Sequence, residues 1–204
     1  MDLIIGTYTE QLPHVHGKAD GVLTASFDPA TGRIGPVTSL AAARNPSYLA
    51  TSASGENVYA VHETVTFGDQ PGGGITAYAR DPGTGQLTAL NARATLGDSP
   101  CHVTLDRSGR FVLNATYGVD AGSVTVHRIE PDGRLGEMTD HVEHIASDAT
   151  ARPGHPTARP LPRYGQGCQA WARQLNQANS RQAPVDGSQR ARAAGPARTA
   201  VEMD

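Results

Sequence analysis

Sixteen residues from Pro46 to Val61, PSYLATSASGENVYAV, fall without a gap on Pro100 to Ala115, PCHVTLDRSGRFVLNA, 54 residues further on. Ser54-Gly55 coincides with Ser108-Gly109, so the turn is kept along with the apolar positions. Gly21 to Ile34 falls in the same way on Gly74 to Leu87, 53 residues later, with Asp28-Pro29 on Asp81-Pro82 and Thr31-Gly32 on Thr84-Gly85. A third copy begins at Gly122, with Glu130-Pro131 in the place of Asp-Pro, and Ile4 to Tyr8 corresponds to Leu113 to Tyr117. A period of about fifty residues confines the chain to a modular architecture, in which neighbouring units bury each other's apolar faces.

The unit itself reads as strands. Val103 and Leu105 precede the turn Asp106 to Gly109, and Phe111-Val112-Leu113 follow it, the pattern of a β-hairpin with a short connection. Val124 and Val126 alternate with Thr125 and His127 until the turn Glu130 to Gly133 ends the strand. Four strands at this period make a propeller blade. Inner strands of a blade carry apolar residues on both sides, as Phe111-Val112-Leu113 and Val58 to Val61 do. With 23 Gly, 14 Pro and no amphipathic helix pattern before residue 165, the expected class is all-β. The expected architecture is a partial β-propeller of about three four-stranded blades: an incomplete one from Leu3 to Leu40, a full one from Pro46 to Leu96, and a third from Pro100 to about Ile145. Propellers close with four to eight blades, so three leave the ring open.

The composition changes near Ala149. Residues 149–204 form a low-complexity Ala/Arg/Pro/Gln segment, with no Ile and no Phe after residue 150. The expected organisation is therefore a partial propeller over 1–148, then a tail over 149–204 that is disordered or read out of frame. Charge divides at the same place: residues 1–150 carry nine Lys/Arg against 17 Asp/Glu, and the remainder eight Arg against three acids. A basic tail is one way to bind nucleic acid, but no aromatic interleaving or Lys cluster supports it, so no nucleic-acid partner is expected. Two cysteines, Cys101 and Cys168, imply no disulfide framework and fit a reducing compartment. The first residues show neither a basic n-region nor a long apolar run, so no signal peptide or membrane span is expected and the cytoplasm is the default.

Several linked stretches resemble one family. NPSYLATSASGENVYAVHE, the Gly-Gly-Gly-Ile-Thr-Ala-Tyr-Ala-Arg-Asp-Pro segment from Gly72, SPCHVTLDRSGRFVLNATYG and the N-terminal LIIGTYT are similar to the seven-bladed propeller lactonases of the 6-phosphogluconolactonase type. The resemblance covers roughly residues 2–148. It implies a full ring near twice this length, hydrolysis of 6-phosphogluconolactone or a related sugar lactone, and kinship with muconate-cycloisomerase-like propellers. The chain departs from the family where His62 replaces Asn, where Asn114-Ala115-Thr116-Tyr117 replaces Val-Ala-Asn-Tyr, and in lacking a Gly-Pro-His-Ala-His segment after the third blade. A non-enzymatic propeller scaffold that binds a ligand or protein partner is the alternative, and a fragment without activity of its own is a third reading.

Opening a lactone calls for a base to activate water, donors aimed at the oxyanion, and cations for any substrate phosphate. In a propeller these gather where strand ends and loops surround the channel. His102, at the start of an inner strand, is a candidate base or donor, or else packs at the strand end. Glu63, Tyr117 and Tyr8 occupy equivalent repeat positions, and such positions converge on the axis. Glu63 is then the better candidate base, with Tyr117 and Tyr8 as donors to substrate, against the plainer reading of repeat-maintained packing. Arg44, before Asn45-Pro46, is the expected phosphate contact. His62 and Glu63 are adjacent on a strand and point to opposite faces, so they are not expected to share a metal. His14 and His16 read as a polar loop, Gly72 to Gly74 as a strand connection, and His141 and His144 as positions on an outer strand. No cofactor or metal is expected. The expected partner is a small-molecule sugar lactone.

Overall fold

The computed structural model describes residues 1–118 and 122–144, together with the backbone of 201–202. Among the described residues every regular element is a strand. The first sheet begins with β1 (Asp2–Gly6), passes through a small hairpin of β2 (Gln11–Leu12) and β3 (Val15–His16), and continues with β4 (Gly21–Asp28), β5 (Arg33–Ile34) and β6 (Thr38–Ala42). The second has β7 (Leu49–Thr51), β8 (Asn57–His62), a small hairpin of β9 (Thr66–Phe67) and β10 (Gln70–Pro71), then β11 (Gly74–Arg80) and β12 (Leu87–Ala94). The third is β13 (Pro100–Leu105), β14 (Phe111–Thr116), β15 (Gly122–Ile129) and β16 (Leu135–His144).

Sheets two and three are four-stranded antiparallel meanders, in the orders β7-β8-β11-β12 and β13-β14-β15-β16. These are the two complete units of the sequence repeat, and the fold is a partial propeller. Among the described residues, no antiparallel inner strand stands beside β1 as β7 and β13 do in the other two sheets. Beside β1 lies instead a two-residue strand, β17 (Val201–Glu202), in parallel pairing with Ile5 and Gly6. The remainder of the 149–204 segment lies outside the described residues. Cys101 stands as half of a disulfide. One bond is not a framework, but it departs from the cysteine usage of a reducing compartment.

Hydrophobic burial binds the blades face to face. Val58, Ala60 and Tyr78 of blade two pack with Leu49 and Leu87 on Val22 and Leu40 of blade one. Tyr59, Val61, Ile75 and Ala77 point the other way, onto Val103, Val112 and Leu135 of blade three. The middle blade is thus apolar on both faces, which is why Val58 to Val61 shows no polar alternation. Each fully buried side chain of this size contributes about 1.5–3 kcal/mol.

Polar staples fix the angle between blades two and three. Asn91 donates from Nδ2 to the carbonyl of Leu135 at 2.7 Å and accepts from its amide at 2.9 Å. The Tyr59 hydroxyl donates to the carbonyl of Gly133 at 3.0 Å. Burial pushes that phenol up to about 12, so it stays protonated as a donor. Tyr59→Phe keeps the ring and strands the carbonyl, and should lower stability by about 1–2 kcal/mol in urea unfolding. The turns at this end of the strands are closed by aspartates. The carboxylates of Asp28, Asp81 and Asp106 accept the amides of Ala30, Gly83 and Ser108. Gly55 and Gly109 take the left-handed conformation (φ 77° and 68°) at equivalent turn positions, which explains the recurring Ser-Gly.

Candidate active site

Antiparallel order brings the end of each second strand beside the start of each inner strand. Tyr8 follows β1, Glu63 follows β8 and Tyr117 follows β14, all at the end that carries the two small hairpins. These three equivalent residues meet. The Tyr8 hydroxyl donates to Glu63 Oε2 at 2.9 Å and the Tyr117 hydroxyl to Glu63 Oε1 at 2.6 Å. Ser47, just before β7, donates from Oγ to Oε2 at 2.5 Å. Glu63 is 5% exposed. One buried carboxylate, carried by the middle blade, therefore receives hydroxyls from all three.

A second layer holds the first. Asn45 is fully buried and touches the backbone of Glu63 on both sides: its carbonyl accepts the Glu63 amide at 3.0 Å, and its Nδ2 donates to the Glu63 carbonyl at 3.3 Å. Its Oδ1 accepts the amides of Thr9 and Glu10, and its Nδ2 also donates to Glu10 Oε2. The other Glu10 oxygen pairs with Arg44 at 2.6 Å.

The remaining sequence candidates, Arg44 and His102, have other contacts. Arg44 is engaged by Glu10 and by the Thr66 carbonyl and hydroxyl at the half-exposed rim, three residues before Ser47. His102 is 3% exposed and lies against the Tyr48 ring (centroids 4.6 Å apart), with no hydrogen bond from its Nδ1 among the described residues. Burial pushes its imidazole down to about 4, so the ring is neutral at pH 7. His62 turns away from Glu63. Its Nδ1 bonds the Arg44 carbonyl at 2.9 Å and its Nε2 meets the Thr76 hydroxyl at 2.6 Å. Burial lowers its pKa as well. The His62 ring is thus a buried strut between the Arg44 carbonyl and Thr76.

His14, read as part of a polar loop, stands edge-on to Tyr8 with centroids 5.8 Å apart. Gly72 and Gly73 form the connection into β11, which Gly74 begins, and His141 and His144 fall on β16. No grouping of three metal-ligating side chains occurs among the described residues. No helix there is long and apolar enough to cross a membrane. Sequence reasoning missed Asn45, Ser47 and Glu10. The available signal was Asn45-Pro46, which falls on Ser99-Pro100 in the repeat.

The family model "Lactonase, 7-bladed beta-propeller" matches residues 2–158. The chain belongs to the seven-bladed lactonase propellers. Within this lactonase family it is similar to a 6-phosphogluconolactonase of Bacillus subtilis (strain 168), 30% identical over 152 residues, which are 74% of this chain and 40% of that protein. Among solved structures it is similar to a periplasmic gluconolactonase of Pseudomonas aeruginosa, with TM-score 0.61 and 31% identity over 70% of this chain and 38% of the other. A putative 6-phosphogluconolactonase of Bacteroides uniformis aligns with TM-score 0.56 and 36% identity over 69% and 37%. The chain spans about 40% of the length of the lactonases it matches.

Proposed function

We propose that the Glu63 cluster opens a sugar lactone of the 6-phosphogluconolactone type by direct attack of water. The observation that carries this reading is the convergence of Tyr8, Ser47 and Tyr117 on one buried carboxylate at the strand ends. Glu63 takes the proton of the attacking water as general base. A tyrosine hydroxyl turns from the carboxylate to the developing oxyanion as the tetrahedral intermediate forms. Return of the proton to the ring oxygen breaks the C–O bond and leaves the open hydroxy acid. Atoms balance as lactone plus water, with no covalent intermediate and no step routed through a metal or cofactor. In this reading His102 walls the site from between the blades, and Arg44 at the rim is the cation nearest in sequence for a substrate phosphate. The Bacillus and Bacteroides similarities support the phosphorylated lactone as first substrate to test.

A scaffold reading has one observation in its favour: a carboxylate that accepts three hydroxyls is satisfied without any ligand. The two separate on acid release. The purified chain, followed by pH-stat with glucono-1,5-lactone and its 6-phosphate, should open at least one lactone faster than buffer. Saturable lactone binding with acid release at the buffer rate would instead establish a binding scaffold.

We also place the reaction in the cytoplasm, on the 6-phosphogluconolactonase similarities alone. Alkylation of Cys101 in freshly lysed cells supports that placement, and a blocked thiol contradicts it.

A further inference from the structure

We propose that Asn45 is the positioning residue of this site, setting where the Glu63 carboxylate stands. For its effect on turnover the proposal rests on the lactone-opening reading above; for its effect on Glu63 it rests on geometry alone.

Asn45 sits at φ 43°, the left-handed region, immediately before Pro46. A side-chain-bearing residue is uncommon there, and a following proline disfavours compact backbone further. Such a conformation persists where surrounding bonds over-determine it, and they cluster at functional sites. Here the bonds are complete. Oδ1 accepts from Thr9 N at 2.9 Å, Thr9 Oγ1 at 3.2 Å and Glu10 N at 3.2 Å. Nδ2 uses both protons, on Glu10 Oε2 at 3.0 Å and the Glu63 carbonyl at 3.3 Å. The backbone amide donates to Thr9 Oγ1 at 3.1 Å, and the carbonyl accepts Ser47 N at 2.8 Å and Glu63 N at 3.0 Å.

Three chain segments are therefore registered on one residue: the segment next to Tyr8, the backbone of Ser47, and both sides of the Glu63 peptide. These are the segments whose side chains meet at the carboxylate. The repeat sharpens the point. Ser99, 54 residues later, has φ 54°, and its carbonyl accepts Tyr117 N at 3.3 Å while its amide donates to the Thr64 carbonyl at 2.9 Å. The backbone clamp is thus common to both blade junctions, and the amide fork is added where Glu63 stands. A positional error of about 1 Å at a catalytic group is enough for a 10²-fold loss.

The test uses the whole chain and two variants, with Asn91→Ala as a control that breaks a polar staple between blades far along the strands. Asn45→Gly keeps the left-handed backbone and removes the fork; Asn45→Asp keeps Oδ1 and replaces the Nδ2 donor. Both should lower kcat for lactone opening by at least roughly tenfold with KM changed less than about threefold, and should speed amide exchange at Glu63 by at least roughly tenfold. Asn91→Ala should lower the thermal midpoint and leave kcat alone. Normal kcat and normal Glu63 exchange in Asn45→Gly overturn the proposal, as does an equal kcat loss in Asn91→Ala. If the unaltered chain opens no lactone, the reading of the site fails. Exchange at Glu63 then decides the clamp alone: faster exchange in both variants upholds it, and unchanged exchange overturns it.

Discussion

Glu63→Gln should lower kcat/KM for lactone opening by roughly 10²- to 10⁴-fold, the range expected for loss of a general base. The substitution keeps the shape of the side chain and removes its ability to take a proton. One amide oxygen still accepts a hydroxyl, but the NH2 group faces a donor among Tyr8, Ser47 and Tyr117, which must rotate or go unpaired. That mismatch should lower stability by about 1–3 kcal/mol, so the urea midpoint is measured beside the rate. A large rate loss with a modest midpoint shift identifies a chemical role. Full turnover in the variant would remove Glu63 from the reaction and favour the scaffold reading.

The second large effect is loss of stability in mild acid. His102 and His127 are 3% and 1% exposed, and burial pushes each down to about 4 from an ordinary value of 6.5. Arg93, on β12, repels the charge of a protonated His127. Both rings are neutral in the folded chain, while an unfolded chain takes up their protons below pH 6.5. Their contribution is therefore fully present above pH 6.5 and is lost as the pH falls toward 4. A shift of this size corresponds to about 3 kcal/mol for each ring. His62, also lowered by burial, acts in the same direction. The depressed carboxyls of Asp28, Asp81 and Asp106 extend the loss below their ordinary 3.8. Urea midpoints taken from pH 7 to pH 4.5 should fall steeply, and His127→Gln should flatten the profile. A midpoint independent of pH over that range would contradict the burial of these rings.

Much of the fold was readable because blades repeat. A 54-residue offset aligns β8 with β14 residue for residue, and the Ser-Gly turns fall at the same left-handed positions. The same offset made Glu63, Tyr117 and Tyr8 equivalent, and equivalence in a propeller means convergence. Ser47 falls on Cys101 in the repeat, which hides its hydroxyl, and Asn45 left only the repeated residue-before-proline step. The importance of Asn45 lies in backbone conformation and in bonds to peptide groups, which side-chain pattern does not record. His102 shows another limit. Its place at a strand start is written in Pro100-Cys101, but a bulge between Pro100 and His102 decides which way the ring points, and it lies against Tyr48 between the blades. Arg44 reads from sequence as a cation near the site, whereas its partner Glu10 comes from a loop 34 residues earlier that no local pattern connects to it.

The most direct test of the account is a crystal structure of the chain with a non-hydrolysable lactam analogue of glucono-1,5-lactone. The lactam carbonyl should stand within about 3 Å of a Tyr8 or Tyr117 hydroxyl, with the Glu63 carboxylate facing the ring carbon that water attacks. A lactam bound away from Glu63, or tyrosine hydroxyls found apart from that carboxylate, would contradict it.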